Sequence, residues 1–175
     1  HIPETGLPYP WETCMTMGNS WSYVPNDQYK SANELIEKLV DIVSKGGNYL
    51  LNIGPSPDGE FDPTAYERLK EIGSWIKTNG EGIYGSRMNK SFNEGETIRF
   101  TKSKDGKTQY VFLFDYPKDG IVDISKIDIP EKSKLTLLGS DKNLKWKRTA
   151  NGVQIQLPTS LQSASEHVWT IKVSL

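Results

Sequence analysis

The sequence predicts an α/β segment followed by an antiparallel all-β domain, and three observations predict it. In the first half, apolar residues recur at helical spacing in two stretches, each preceded by a short strand-like run. From about Arg87 the apolar period changes to that of a strand. The second half is punctuated by turn signals, of which Asn151-Gly152 is the strongest hairpin mark.

Trp11 to Met17 is short, rich in apolar and Thr residues and preceded by Pro8 and Pro10, which marks a strand. Gly18 to Asp27 follows as a polar and aromatic loop. Ser31 with Glu34 three residues later forms a capping box ahead of Leu35, Ile36, Leu39, Val40 and Val43, and Gly46-Gly47 supplies the stop. Asn48 to Ile53 is a nearly continuous apolar run, the pattern of a parallel strand buried on both faces. Gly54-Pro55-Ser56-Pro57-Asp58-Gly59 is loop material. Asp62 caps a second helix with Pro63 at its first position, its inner face is predicted as Tyr66, Leu69, Ile72, Gly73 and Ile76, and it ends near Asn79-Gly80.

In the second half, Glu96 to Lys102 and Gln109 to Asp115 flank a Lys104-Asp105-Gly106 turn, and Lys145 to Ala150 and Val153 to Leu157 flank Asn151-Gly152. Further strands are expected at Ile121 to Ile124, Leu135 to Leu138 and Val168 to Val173. Short antiparallel strands at this spacing indicate a β-sandwich. The boundary therefore falls at residues 87/88. Two parallel strand-helix units need neighbouring strands, so residues 1–87 are expected to dock onto further chain as part of a barrel or an open sheet. The start at His1 within a Pro-rich stretch, without an initiator Met, fits a fragment or a processed piece.

Charge is nearly balanced, with 21 Lys and Arg against 22 Asp and Glu. That balance carries no electrostatic footprint for nucleic acid and no membrane anchor, and points to neutral partners. No apolar run approaches the roughly 20 residues that span a bilayer. Cys14 is the only cysteine, which excludes an intrachain disulfide framework and a Cys-based zinc site; inside an apolar strand it is expected to be a buried, inert thiol. The two histidines, His1 and His167, stand at opposite ends of the chain and offer Cys14 no adjacent base in sequence.

Asn52-Ile53-Gly54-Pro55 lacks the glycine spacing and the Lys of a phosphate cradle, and Pro55 removes a donor, so it reads as a turn at the end of a strand. Trp21 and Tyr23 lie in the loop after the first strand, where an aromatic ring either stacks on a sugar or seals loop to helix; the residues alone leave both open for Trp21. Trp11 is expected in the core. Glu4 and Glu12 are the acidic residues at the entry to the first strand. Glycosidases use paired carboxylates, but Glu12 enters its strand early, which favours a structural or supporting role.

Trp11-Glu12-Thr13-Cys14-Met15-Thr16-Met17, Trp21-Ser22-Tyr23, the run Asp41 to Pro55 and Asn79-Gly80-Glu81-Gly82-Ile83-Tyr84-Gly85 together resemble, in order and spacing, the end of the catalytic domain of the family 29 α-L-fucosidases. The resemblance covers roughly residues 1–87. It implies the last two strand-helix units of a (β/α)8 barrel followed by the family's C-terminal β-sandwich. It also implies a retaining hydrolase of terminal α-linked L-fucose, working through a covalent glycosyl-enzyme intermediate without metal or other cofactor. The family's nucleophile is an Asp on an earlier barrel strand, with no counterpart here, and its acid/base Glu is expected in the loop just upstream of His1. Glu4 and Glu12 are therefore weak catalytic candidates. Trp21 occupies the position where the family sets an aromatic against the fucose ring and its methyl group; Ser22 stands where many members have Gly. The expected partners are a fucosylated glycan and the N-terminal remainder of the same enzyme, and the expected location is periplasmic or secreted, or lysosomal in a eukaryote. The rival class is a non-catalytic carbohydrate-binding sandwich, which the scarcity of clustered exposed aromatics disfavours, Trp146 and Trp169 being expected in the core.

Overall fold

The computed structural model describes residues 9–140 and 142–175. Strand β1 (Glu12–Thr16) pairs in parallel with β2 (Asn48–Asn52), Glu12 opposite Asn48 and Thr16 opposite Asn52. Helix α1 (Ala32–Ser44) makes the crossover between them. Its first turn is closed by Ser31, whose Oγ accepts from the Glu34 N–H at 3.1 Å. Gly46, at φ +79, turns the chain out of the last turn in the left-handed conformation that glycine adopts freely. Helix α2 (Pro63–Asn79) begins at Asp62, whose Oδ1 accepts from the Thr64 N–H at 2.9 Å.

Eight antiparallel strands follow: β3 (Arg87–Glu94), β4 (Ile98–Lys102), β5 (Thr108–Leu113), β6 (Ile121–Ile124), β7 (Lys134–Leu137), β8 (Trp146–Thr149), β9 (Gly152–Gln156) and β10 (Trp169–Ser174). They form a sheet in the order β3-β4-β5-β10-β7 and a second in the order β6-β9-β8. Phe100, Val111, Leu113, Leu135, Leu137, Ile171 and Val173 from the first sheet meet Val122, Ile124, Val153 and Ile155 from the second in one core. The alternate residues of β5, Tyr110 and Phe112, point the other way and pack with Ile36, Val40, Trp75 and Ile83. Strand β5 is thus buried on both sides, and the helices form a third layer over the larger sheet.

Directional contacts fix that layer. Trp75 Nε1 donates to Val168 O at 2.8 Å, Thr101 Oγ1 donates to Gly82 O at 2.8 Å, and Arg99 Nε reaches Asp41 Oδ1 at 2.6 Å. Arg99 also stacks on Phe114, 5.0 Å from the ring centre.

Several expectations need correction. Cys14 is exposed rather than buried, and β2 is not buried on both faces, Leu50 being 49% exposed. Cys14 and Leu50 are register partners, both exposed on one face of the β1-β2 pair. Trp11 stands at the surface with its ring against Gly47 and its Nε1 donating to Lys45 O at 3.3 Å. On α2, Tyr66 and Leu69 are exposed, and Trp75, absent from the predicted face, is the large buried residue. The first two lie toward the start of the helix, away from the sheet that Trp75 meets. Strand β3 was not expected: its polar sequence shows little alternation, and its pairing with β4 is broken by a register shift between Met88 and Asn93. In the last hairpin the two turn residues are Ala150-Asn151, because Thr149 pairs with Gly152. Gly152 is needed for closeness as well: a Cβ there would strike Ile124 O and lie 2.9 Å from Ile124 C. Trp146 and Trp169 are only partly buried against the sandwich core.

Candidate active site

Residues 17–31 lead from β1 into α1 and fold back across the C-terminal ends of both parallel strands. Met17 N–H donates to Asn52 O at 2.9 Å, and Lys30 N–H donates to Met17 O at 3.0 Å. Asp27 organises the inside of the loop, its Oδ2 accepting from the Asn19 and Ser20 amides at 3.0 and 3.1 Å and its Oδ1 from the Gln28 amide at 2.8 Å. Asn26, at φ 59, makes the turn before it, in a conformation Asn tolerates better than most residues. Lys30 Nζ donates to Thr16 O and Gly18 O, each at 2.8 Å, tying the loop's exit to the end of β1. These bonds fix the backbone on either side of Trp21.

The turn after β2 supplies the platform. A Cβ at Gly54 would stand 2.5 Å from Ser22 C and 3.0 Å from Ser22 O, with Tyr23 N also in the way. The Trp21-Ser22-Tyr23 backbone therefore lies directly on Gly54, and glycine is required there for close backbone approach rather than for holding a phosphate. Trp21 itself is 58% exposed. Its ring is not consumed as a seal within the described structure.

By strand alternation Thr16 and Asn52 share a face with Cys14 and Leu50, while Thr13, Met15, Tyr49 and Leu51 belong to the opposite face, where Leu51 packs with Leu35. Asn52 Oδ1 is buried without a hydrogen-bond partner among the described residues, as is the Tyr49 hydroxyl. Burial, helped by the Glu34 charge, pushes the Tyr49 phenol up to about 12.

Of the sequence-predicted residues, the structure sets Trp21 at the C-terminal end of the strand pair and Glu12 at the other. At roughly 3.3 Å per residue, Glu12 stands roughly 13 Å from Thr16 along β1. The two are not brought together. Glu4 lies outside the described residues. His167 sits just before β10, in the other half of the chain. The scaffolding roles of Asp27, Lys30 and Gly54 were missed: Gly54 was read as a turn after the second strand and Asp27 as the end of a loop, but nothing in sequence marks either as support for Trp21. No described helix is long and apolar enough to cross a membrane.

Residues 1–81 match the family model described as Alpha-L-fucosidase, and residues 92–174 match the Alpha-L-fucosidase C-terminal domain. The chain belongs to the α-L-fucosidase family. Over 180 aligned residues it is 36% identical to the tissue alpha-L-fucosidase of Mus musculus, an alignment covering 98% of this chain and 40% of that protein. The crystal structure of Thermotoga maritima alpha-fucosidase in complex with a mechanism-based inhibitor superimposes with a TM-score of 0.85 at 28% identity, covering 95% of this chain and 40% of that one. A family 29 α-L-fucosidase from Bacteroides thetaiotaomicron, a trapped covalent intermediate, superimposes with a TM-score of 0.80 at 25% identity, over 95% of this chain and 38% of that one. The chain thus spans about 40% of the length of the α-L-fucosidases it resembles.

Proposed function

We propose that this chain is part of a retaining exo-α-L-fucosidase that releases terminal α-linked L-fucose from glycans. In this reading residues 1–87 are the last two strand-helix units of a (β/α)8 catalytic barrel and residues 88–175 the β-sandwich packed on it. The observation that carries it is Trp21. In a family of α-L-fucosidases, an exposed aromatic is held rigidly at the C-terminal ends of parallel strands, where barrel enzymes keep their sites.

An Asp and a Glu outside this chain supply the nucleophile and the acid/base. A retaining enzyme holds such a pair about 5 to 5.5 Å apart. Trp21 covers the methyl-bearing side of the fucose and excludes water from it. Thr16 and Asn52 border the same end of the strands, and Glu12, far from that end, is a supporting residue. A trapped covalent intermediate of the Bacteroides relative supports the two-step route. The enzyme uses no metal or other cofactor, its substrates are fucosylated glycans, and its location is periplasmic or secreted, or lysosomal in a eukaryote.

The test is hydrolysis of an aryl α-L-fucoside by the complete enzyme, followed by proton NMR from the first minutes. The α anomer of fucose should appear first, and the 175-residue chain by itself should be inactive. Initial release of the β anomer would overturn the retaining mechanism, and release by the isolated chain would overturn the assignment of the nucleophile to residues outside it.

A further inference from the structure

The end of the sandwich remote from the loop just described carries a groove of about 540 Å3. Its basic side chains are Lys90 on β3, Lys102 on β4, Lys126 in the loop after β6 and Arg148 on β8. One acidic side chain, Asp128, lines it with them, and Leu175, the last residue of the sequence, lies there too. Four basic side chains to one acidic side chain is a local excess in a chain whose net charge is −1.

Nor are the lysines neutralised nearby. Among the described residues Lys90, Lys102 and Lys126 take part in no ion pair, and Arg148 lies 3.7 Å from Asp128. Outside the groove, Glu94 accepts from the Ser125 amide and hydroxyl and the Lys126 amide, bonds that hold its carboxylate in place while it keeps its charge. Asp105 is likewise committed, to the Ser103 hydroxyl and the Lys107 amide.

The floor is built. Asn89 and Gln109, each 8% exposed, are joined by Asn89 Nδ2 donating to Gln109 Oε1 at 2.6 Å, and Gln109 Nε2 donates to Asp128 O at 2.7 Å. Arg148 Nη2 donates to Ile129 O at 2.8 Å. These bonds tie β3, β5, β8 and the 125–130 loop together, so the cations stand on a fixed frame. No aromatic ring lines the groove. A neutral sugar or a nucleobase would find nothing to stack on, and charge is what the site offers.

We propose that this groove binds an acidic oligosaccharide, its sulfate esters or carboxylates set against Lys90, Lys102 and Lys126. The choice of a saccharide rests on the proposed glycan-hydrolase function; the cationic frame does not.

The experiment measures binding of the complete enzyme by calorimetry to a sulfated tetrasaccharide, a polyuronate tetrasaccharide, a neutral dextran tetrasaccharide and a single-stranded oligonucleotide of matched charge. Both acidic saccharides should bind at low ionic strength, the neutral one should not, and binding should fade near 1 M salt, where screening shortens to about 3 Å. Lys102→Glu with Lys126→Glu should weaken binding about tenfold or more, and the same charge change at Lys77 and Lys118, outside the groove, should alter it by less than about twofold. Lys126→Gln, at an exposed loop position, gives a milder variant whose folding is not at risk. Equal loss in the two double variants, no binding, or equally tight binding of the oligonucleotide would overturn the proposal. Turnover of an aryl α-L-fucoside should be the same in the groove variants as in the parent. An inactive parent that still bound acidic saccharides would refute the fucosidase function and leave the groove standing.

Discussion

Gly54→Ala puts a methyl group where the backbone of Ser22 and Tyr23 already lies, the nearest carbon of Ser22 being only 2.5 Å from the new Cβ. Ordinary carbon contacts begin near 3.5 Å, so the segment carrying Trp21 must move by about 1 Å. Overpacking of this kind costs about 1 to 3 kcal/mol when the surroundings cannot yield. Here they can, because Trp21 and Ser22 are exposed, and the strain is relieved by displacing the loop rather than by unfolding the core. The melting temperature of the complete enzyme should therefore fall by less than about 4 °C. Catalysis is less forgiving: a displacement of about 1 Å costs up to about 100-fold in rate. kcat/KM on an aryl α-L-fucoside should drop by about 10- to 100-fold, with weaker binding of a fucose-mimicking iminosugar. Gly73→Ala is the control, since a Cβ at Gly73 meets nothing within 4 Å and alanine favours the helix by up to about 1 kcal/mol. Wild-type kcat/KM and iminosugar affinity in Gly54→Ala would refute the inference that Gly54 positions a substrate-binding loop.

Three further outcomes are expected. Trp21→Ala should cost the complete enzyme about 1 to 3 kcal/mol of iminosugar affinity and about 0.5 kcal/mol or less of stability, because the ring is mostly exposed, and Trp21→Phe should keep much of the affinity; calorimetry beside thermal melts separates the two effects. For Asp41, burial alone would raise the carboxyl, but the hydrogen bonds and charges of Lys45 and Arg99 outweigh it and hold the group below 3.8. A lowered folded-state value gives stability that is present above 3.8 and lost as pH falls through the lower value, so the deficit of Asp41→Asn, about 1 kcal/mol in urea titrations at pH 7, should shrink as the pH is taken below 3.8. Tyr49→Phe should be neutral or stabilising by up to about 1 kcal/mol, since the hydroxyl it removes is buried without a partner among the described residues, and it should delete the highest-pH step, near 12, from an alkaline absorbance titration.

Elements whose signals are local were legible from the sequence. Ser31 starts α1 and Asp62 with Pro63 starts α2, each side chain accepting the expected amide, while the Glu34 carboxylate pairs with Lys38 at 3.6 Å and the returning half of the capping box is not seen among the described residues. The turns at Gly106 and Asn151 lie between strands that pair in the expected order, although Thr149 facing Gly152 shifts the second by one residue. Strand β3 was not legible, because its cover includes α1, distant in sequence, and its bulge breaks the alternation that marks a strand. In the candidate site, Trp21 stood out as an aromatic in a loop; Gly54 did not stand out as its support, because a close approach between residues some thirty positions apart leaves no trace in either stretch alone. Asp27 is similar. Its carboxylate is saturated by three amides that only the folded loop brings together.

The errors at Cys14 and Leu50 share one physical cause. Each was assigned to the interior because its own strand is apolar, and an apolar strand states a requirement for cover without naming what provides it. On the helix side the requirement is met: Leu35, Leu51 and Ile53 pack together, and Met17 is fully buried among them. On the other face Leu50 remains 49% exposed beside Cys14, with Asn52 Oδ1 buried and unpaired among the described residues at its upper end. An unsatisfied amide and an exposed leucine on one strand face are the marks of a surface built to be covered. In the proposed barrel this face is the interior, with Cys14 and Leu50 in the packed layers and Thr16 and Asn52 at the rim beneath Trp21. Apolar residues low on the face and polar ones at its mouth are what a barrel needs when its lower layers are core and its upper rim meets a sugar. Under that proposal the β1-β2 pair, which by itself looks half finished, gains the cover that Leu50 lacks and a polar rim at its upper end.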